Sequence, residues 1–353
     1  MRALRINEMA AVSQLMDRAW SADYGEDGYF RYEPGILERQ FENEEGSVWL
    51  GAYSKGKLVG VNVSFPRKIN ILGTISETAI PTYLSVLPEY RRKNIASILV
   101  REIVKRNQRV GIKKILPYFD DEGMGSSVYK KCYPRMFPLH SGSWLGKIID
   151  PDSFSERVGY DIPARKLVGK KMKMGFLSNK KGGITALINR ALENVSAIPS
   201  SYPNDAVLGP SDVSRILYLS VPCFKWDRIW SHDELRRELG DPDSFTVGRI
   251  LNGKLLTVMH FKVRTLVTRK SVKVAWFDWL YGEEGIKKNL LTAIAVAKES
   301  GVVLSLVPKM GYFSTIPFLK AGFIPFPKRF GLHCICLDET LLAPVKKIRL
   351  DVR

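Results

Sequence analysis

Helical and strand periodicities alternate along the first 140 residues. Helical spacing of apolar residues occurs in AAVSQLMDRAW and again in ILERQFEN. Apolar and polar positions alternate on both sides of Lys55-Gly56 in SVWLGAYSKGKLVGVNVSFP, which predicts a β-hairpin. The pattern then predicts a third strand in KINILG, a strand in AIPTYLSVL, a long helix in IASILVREIVKRNQRV, a strand in KKILPYF and a helix in GSSVYKKCY.

A similar order recurs after residue 213. A helical SHDELRREL precedes a hairpin turned at Asn252-Gly253, a strong hairpin dipeptide. The strand SVKVAWFDWLY, the helix IKKNLLTAIAVAKES, the strand VVLSLVP and the helical FSTIPFLKAGF follow. Both long helices end at a glycine, both next strands end in a proline, and an aromatic residue follows about a dozen residues later: Gly111 and Gly301, Pro117 and Pro308, Tyr129 and Phe318.

This recurrence predicts an α/β (α+β) fold built from two copies of one module, each a mixed, mostly antiparallel sheet flanked by helices. Chance repetition of a common α/β order is the alternative interpretation. The predicted boundaries are residues 1–150, a basic connector at 151–210 and a second module at 211–353. The connector carries paired glycines and the cationic run ARKLVGKKMKMGFLSNKKGG.

A formal charge of +18 over 353 residues implies an anionic partner. Charge alone does not choose among nucleic acid, an anionic membrane surface and a phosphate-bearing ligand. No apolar run approaches the roughly twenty residues of a bilayer span, so we expect a soluble, cytoplasmic protein. Four scattered cysteines predict reduced thiols, and no Cys/His spacing indicates a zinc site, so we expect no metal.

The stretch LSVLPEYRRKNIASILVREI joins a strand to a helix through a cationic turn at Arg91, Arg92 and Lys93. The first turn of a helix has unpaired backbone N–H groups and the positive end of the helix dipole, which together bind anions. Small residues at Ala96 and Ser97 allow a close approach to the backbone. The turn therefore fits a diphosphate, and the cationic face that continues along the helix suits a ligand with several phosphates. Solvated basic surface is the alternative.

The same stretch resembles the acyl-CoA-binding motif of the GNAT acyltransferase superfamily, whose pattern (Q/R)xxGx(G/A) corresponds here to Arg91, Asn94 and Ala96. Asn94 departs from the usual glycine, although asparagine tolerates left-handed backbone conformations. The helices, the hairpin and GSSVYKKCYP extend the resemblance over roughly residues 1–140. It implies an N-acyltransferase that uses acetyl-CoA, or another acyl-CoA, in a direct-attack ternary complex.

The resemblance also implies a role for individual residues. The backbone of Leu84, Ser85 and Val86 would bind the pantetheine arm. Tyr129 would be the general acid for the departing thiolate, although a core tyrosine is nearly as good an interpretation. Glu77 is the first candidate for the base, followed by Asp120 and Asp121. The pyrophosphate would be held by the turn and the start of the helix: Arg91, Arg92, Lys93, Asn94, Ile95, Ala96 and Ser97.

The corresponding turn of the second module, YGEEGIKKN, carries Glu283 and Glu284 where the pyrophosphate would lie. Like charge there disfavours CoA, so we expect a degenerate second site. A tandem layout with one competent site resembles protein N-myristoyltransferases. In that family the C-terminal carboxylate serves as the base and the terminus is apolar, whereas this chain ends in KKIRLDVR.

The acceptor is expected to be a small-molecule or peptide amine, in a pocket bordered by DYGEDGYFRYEPG, residues 23–35. Long-chain acyl transfer of the N-myristoyltransferase kind is an alternative. A function of another class, binding of nucleic acid or an anionic surface through the basic clusters, is a second alternative.

Overall fold

The computed structural model describes residues 1–25, 28–120, 124–150, 153–154, 204–220, 226–268, 270–337, 344 and 346–350. Most of the predicted connector, as well as Asp121 and Cys223, lies outside these residues. The first half contains, in order, β1 (Arg2–Ala3), α1 (Met9–Tyr24), β2 (Tyr29–Arg31), α2 (Pro34–Asn43), β3 (Val48–Ser54), β4 (Lys57–Ile71), β5 (Thr74–Val86), α3 (Ile95–Arg109), β6 (Lys114–Ile115), β7 (Tyr118–Asp120), α4 (Met124–Cys132) and β8 (Phe137–Ile148).

The second half repeats the succession of a hairpin, a third strand, a long helix, a strand, a short helix and a last strand. Its elements are β9 (Asp205–Leu208), α5 (Val213–Leu219), β10 (Trp226–Ile229), α6 (His232–Leu239), β11 (Ser244–Leu251), β12 (Lys254–Val267), β13 (Ser271–Tyr281), α7 (Ile286–Glu299), β14 (Leu304–Lys309), α8 (Ile316–Lys320) and β15 (Ile324–Cys336). The predicted α/β class with two similar modules is confirmed.

Two predictions about strands are wrong. The single strand predicted in KKILPYF is divided into β6 and β7, which are separated by Leu116 and Pro117. The separate third strand in KINILG is the continuation of β4, which runs through Pro66 as far as Ile71. The last pair between β3 and β4 is Val48 with Ser64, so Pro66 lies beyond the end of β3. A proline is tolerated there because its missing N–H removes no hydrogen bond to β3, while its other neighbours still pair with β5.

The two halves share one sheet because their last strands are exchanged. The strands follow the order β1-β3-β4-β5-β6-β15-β8-β14-β13-β12-β11-β9 in the described residues. Strand β8 of the first half pairs with β14 of the second half, and β15 of the second half pairs with β6 of the first. Each half therefore completes its sheet with a strand from the other half.

The helices cover the faces of this sheet and bury most of its apolar side chains. The cluster in the first half joins α1 and α3 to β4 and β5, whereas a larger one extends across β8, β12, β13 and β15. Such continuity is expected when two modules share strands. Among the described residues, none of the helices has both the length and the apolar character that a bilayer crossing requires.

Candidate active site

Strands β5 and β6 diverge soon after they meet. Their parallel pairing is limited to Thr78 with Lys114 and Ala79 with Ile115, and Leu116 N–H donates to the Ala79 carbonyl at 2.8 Å. Beyond Ala79, no described strand pairs with this edge of β5. The first half thus contains a cleft, open between two parallel strands, at the carboxyl end of β5.

Backbone groups of β5 point into this cleft. Leu87 N–H donates to the Val59 carbonyl of β4 at 3.0 Å, so the backbone of Leu87 points towards β4. Successive residues of a strand alternate in direction, which turns the N–H and C=O groups of Leu84 and Val86 towards the cleft. The Val86 carbonyl already accepts a hydrogen bond from Arg91 Nε at 3.3 Å. Leu84 therefore offers the backbone groups best placed to meet a ligand in the cleft.

A β-bulge lies at the same point. The register of β4 and β5 shifts between the pairs Val61–Ser85 and Val63–Thr82, so Asn62 alone stands opposite two residues. One of these two, Tyr83, has a left-handed backbone with φ of 58°. Bulges concentrate next to active sites because they redirect the chain and interrupt regular pairing.

The predicted basic turn closes one end of the cleft. Arg92 and Asn94 both have left-handed backbones, with φ of 59° and 61°. Asn94 therefore adopts the conformation that the glycine of the motif would favour. The helix begins with the hydrogen bond from Ile98 N–H to the Asn94 carbonyl at 3.0 Å, so the N–H groups of residues 95–97 precede the first bond of α3. Residues 95–97 are half-buried.

The three cations of the turn differ in their partners. The Arg91 guanidinium lies 2.6 Å from Asp23 Oδ1 and also donates to the Ala19 carbonyl at 3.1 Å. It therefore connects the turn to the end of α1. Arg92 and Lys93 are exposed, and the Lys93 ammonium lies 4.9 Å from the centroid of the Tyr90 ring. The side chains that remain available to a phosphate are those of Arg92 and Lys93.

Tyr129 lies on α4, in an apolar cluster that also contains Ala79 and Leu84 of β5. Its side chain is 2% exposed, and its hydroxyl has no hydrogen-bond partner among the described residues. Burial, the largest effect, raises the pKa of the phenol, and the neighbouring Asn62 amide opposes this only in part. The Asn62 amide also lacks a partner in the described part of the chain. The Tyr129 hydroxyl and the Asn62 amide thus lie near each other, but neither makes a hydrogen bond of standard geometry within the described residues, so both can still bond a polar ligand atom at the open strand edge.

The structure places Glu77 at the opposite end of β5 from the bulge. Its carboxylate is half-exposed and forms an ion pair with Lys68 at 3.7 Å. Seven residues separate it from Leu84, which corresponds to roughly 23 Å along a strand. The side chain of Asp120, the next candidate for the base, lies outside the described residues.

The corresponding turn of the second half is built differently. Gly285 has a left-handed backbone with φ of 74° and precedes α7 as Asn94 precedes α3. The Arg249 side chain covers it so closely that an added Cβ would lie 2.5 Å from Arg249 Cδ. Arg249 is held in turn by Asp205 at 2.9 Å. Glu283 and Glu284 are exposed at the same turn, and the loss of CoA binding by the second half stays a prediction.

Comparison with known proteins agrees with this geometry. Residues 1–113 match a family model described as an acetyltransferase (GNAT) domain. Saccharomyces cerevisiae N-myristoyltransferase with bound myristoyl-CoA and inhibitors superposes with a TM-score of 0.73 at 13% identity, covering 95% of this chain and 79% of that one. A GCN5-related N-acetyltransferase from Kribbella flavida gives a TM-score of 0.50 at 11% identity, with coverages of 96% and 70%. No curated protein matches the sequence.

The chain therefore has the fold of the GNAT superfamily of acyl-CoA acyltransferases, in a tandem arrangement similar to that of N-myristoyltransferase.

Proposed function

We propose that this protein is an N-acyltransferase that moves an acyl group from CoA to an amine. The observation that carries the proposal is the open edge of β5 at Leu84, which lies beside a left-handed cationic turn and the start of α3. The pantetheine arm would add to this edge as a strand does. Its pyrophosphate would bind the N–H groups of residues 95–97 and the side chains of Arg92 and Lys93. Arg91 would act indirectly, by fixing the turn.

In the reaction, the amine nitrogen attacks the thioester carbonyl carbon. A C–N bond forms, the C–S bond breaks, and the thiolate of CoA leaves. The Leu84 N–H would stabilise the developing oxyanion. Tyr129, whose raised pKa keeps its phenol protonated, would deliver a proton to the thiolate. The base that takes the proton from the amine stays a prediction, and the position of Glu77 weighs against that residue.

The proposed donor is acetyl-CoA. A longer acyl chain is the alternative, because the N-myristoyltransferase that superposes with this chain was solved with myristoyl-CoA. Release of CoA from acetyl-CoA and from myristoyl-CoA, measured with a thiol reagent over a panel of amines, distinguishes the two donors.

Thermal unfolding tests the binding step. A ligand that binds only the native state raises the melting temperature, so acetyl-CoA should stabilise the wild-type protein. Replacing Arg92 and Lys93 by Ala should weaken acyl-CoA binding by roughly tenfold or more, because charge-assisted hydrogen bonds are lost. The matched control replaces Lys287 and Lys288, exposed at the start of α7, and should leave binding unchanged. A wild-type protein that neither acetyl-CoA nor myristoyl-CoA stabilises would contradict the proposal.

A further inference from the structure

A small cavity lies between the two halves, on the side of the sheet that α2 covers. Its walls carry Phe30, Tyr32, Gln40 and Tyr83 from the first half, and Lys262, Arg264, Trp276 and Asp278 from the second. Tyr83 is the bulged residue next to Leu84, and its hydroxyl donates to Gln40 at 2.9 Å. The cavity therefore adjoins the strand edge at which the proposed thioester would lie. Phe30 and Tyr32 of its lining belong to residues 23–35, the segment that the sequence predicted to border the acceptor.

Strand β12 supplies three basic side chains at alternate positions, which places His260, Lys262 and Arg264 on one face. All three are more than 90% buried. Charged side chains are expensive to bury unless they are paired, so each requires a partner.

Two of the three have carboxylates nearby. Lys262 Nζ lies 2.5 Å from Glu238 Oε1 and 3.9 Å from Asp278 Oδ2. His260 Nδ1 lies 3.5 Å from Asp278 Oδ2, and its Nε2 lies 3.8 Å from Glu238 Oε1. Glu238 and Asp278 could hold a metal ion together with His260, but the ammonium of Lys262 already supplies a cation there.

Arg264 is the exception. It is 7% exposed, and NH1 donates to the Val263 carbonyl at 3.0 Å. Within the described part of the chain, no carboxylate lies within ion-pair distance of its guanidinium. A guanidinium carries five N–H donors in a planar fork that matches a carboxylate. A buried guanidinium that faces a cavity with a single backbone contact is suited to an anionic ligand.

We propose that this cavity binds the acceptor, and that the acceptor carries a carboxylate which pairs with Arg264. The proposal rests on the proposed function, since the cavity adjoins the strand edge assigned to the acyl-CoA. The cavity is partly open and has room for little more than one ordered water, about 20 Å³, so only the carboxylate of the acceptor enters it and the rest of the acceptor lies in the opening. A carboxylate meets this limit better than a phosphate ester or a nucleotide.

A carboxylate of the second half, Asp278, belongs to the lining of the same cavity. Its Oδ2 is buried, 3.5 Å from His260 Nδ1 and 3.9 Å from Lys262 Nζ. With Lys262 paired to Glu238 and Asp278 close to both His260 and Lys262, Arg264 is the cation of this cavity that has no carboxylate partner among the described residues. An amino acid fits this arrangement, because its carboxylate can bind Arg264 while its amino group lies towards the bulge at Tyr83. The reaction is then the formation of an N-acyl amino acid, with CoA as the leaving group.

The test of acceptor class compares each amino acid with its own carboxamide, for example phenylalanine with phenylalaninamide. The rates of CoA release are compared at equal concentrations of neutral amine. We expect the acids to react faster in the wild-type protein. Arg264→Met should lower kcat/KM for the acids by roughly thirtyfold or more, because a buried charge pair loses one partner. The carboxamides should be little affected. If no amino acid outperforms its carboxamide, the proposal is overturned.

Two further measurements separate a binding role of Arg264 from a structural one. Formate, exchanged for chloride at constant ionic strength, should raise the melting temperature of the wild-type protein but not that of Arg264→Met. Without a carboxylate, Arg264→Met should also melt no lower than the wild type, because it removes an uncompensated buried charge. A large drop in melting temperature, or equal stabilisation of both proteins by formate, would overturn the proposal.

The control variant is Lys254→Met, at the exposed start of the same strand, which should change none of these values. Stabilisation by acetyl-CoA is measured in parallel for all variants. If acetyl-CoA does not stabilise the wild-type protein, the proposed function is contradicted. If acetyl-CoA stabilises Arg264→Met as much as the wild type, the substitution affects the acceptor and not the acyl-CoA.

Discussion

The hydroxyl of Tyr129 is informative because it is buried with the Asn62 amide as its polar neighbour and makes no hydrogen bond of standard geometry among the described residues. A tyrosine that served only the core would be expected to satisfy its hydroxyl. We predict that Tyr129→Phe lowers kcat about 10- to 100-fold, the range for loss of a general acid, while stabilisation by acetyl-CoA is unchanged. Steady-state kinetics and thermal unfolding check both values.

The matched control for this prediction is Tyr218→Phe, since Tyr218 is 78% exposed on α5. It should leave both kcat and acyl-CoA binding as in the wild type. If Tyr129→Phe instead kept full activity and lowered the melting temperature, Tyr129 would be a structural residue.

Glu8 gives a prediction about pH. Its carboxylate accepts hydrogen bonds from Arg2 at 2.7 and 2.8 Å and from the Tyr53 hydroxyl at 2.6 Å. The bond from Arg2 is the largest cause that lowers the pKa of Glu8 from 4.5 to about 2. Because the pKa of Glu8 is lower in the folded protein than in the unfolded chain, its carboxylate stabilises the fold fully at a pH above the pKa of the unfolded chain. This stabilisation disappears as the pH falls towards 2.

Glu8→Gln should therefore lower the free energy of unfolding by about 1 kcal/mol at neutral pH. The expected loss is this small because the ion pair of Glu8 with Arg2 is partly exposed to solvent. The difference from the wild type should shrink between pH 5 and pH 2 in urea titrations. Glu33→Gln, at an exposed position, is the control. A difference that stayed constant with pH would contradict the assignment.

The sequence indicated some site residues and concealed others. The left-handed conformation of Asn94 follows from the motif, because glycine normally occupies its position. Asn62 left a weaker signal, as a single amide in the apolar strand LVGVNVSF. Nothing in the sequence indicated that Arg264 belongs to a site. His260, Lys262 and Arg264 alternate with apolar residues, which is typical of a strand with one solvated face. Only the packing of the two halves shows that this face is buried.

At the scale of elements, the turn before α3 depends on a left-handed residue. Glycine adopts this conformation without the Cβ strain that asparagine bears at φ of 61°. We predict that Asn94→Gly leaves stability within about 1 kcal/mol of the wild type and retains acyl-CoA binding. Asn94→Ala should be less stable than Asn94→Gly by roughly 1 kcal/mol. Urea denaturation and acetyl-CoA titration measure the two effects.

Asn252 offers the matched control, because it also has a left-handed backbone, with φ of 50°, in the hairpin of β11 and β12. Asn252→Ala should cost a similar amount of stability without changing acyl-CoA affinity. Equal losses of affinity in both alanine variants would show that the effect belongs to global stability and not to the turn.

Most helices and hairpins were predictable because their signals are local. Helical periodicity gave α1, α3 and α7, and the Asn252-Gly253 turn gave its hairpin. The prediction that a strand ends at Pro66 was wrong. A strand tolerates a proline where the neighbouring strand has already ended, and the end of β3 cannot be seen from the residues around Pro66. The exchange of β8 and β15 depends on strand pairing between residues at least 156 positions apart, such as Ile148 with Leu304, for which no short pattern exists.

At the scale of the whole molecule, the exchanged strands make each half depend on the other. Strand β6, which forms one wall of the proposed CoA cleft, pairs on its other side with β15 through Ile115–Ile335 and Lys114–Cys336. Ile335 also belongs to the apolar cluster that surrounds Tyr129. The first half therefore contains the proposed cofactor residues but lacks a strand that supports them.

This dependence predicts the behaviour of fragments. Residues 1–150 alone should not show acetyl-CoA stabilisation, because removal of β15 leaves the edge of β6 unpaired and exposes the cluster around Tyr129. Mixing with residues 204–353 should restore both cooperative unfolding and stabilisation by acetyl-CoA. A protein cut within 155–203 should stay associated on a sizing column, since the sheet pairing between β8 and β14 persists. If residues 1–150 fold cooperatively and bind acetyl-CoA alone, each half completes its own site, and the strand exchange is not required for it.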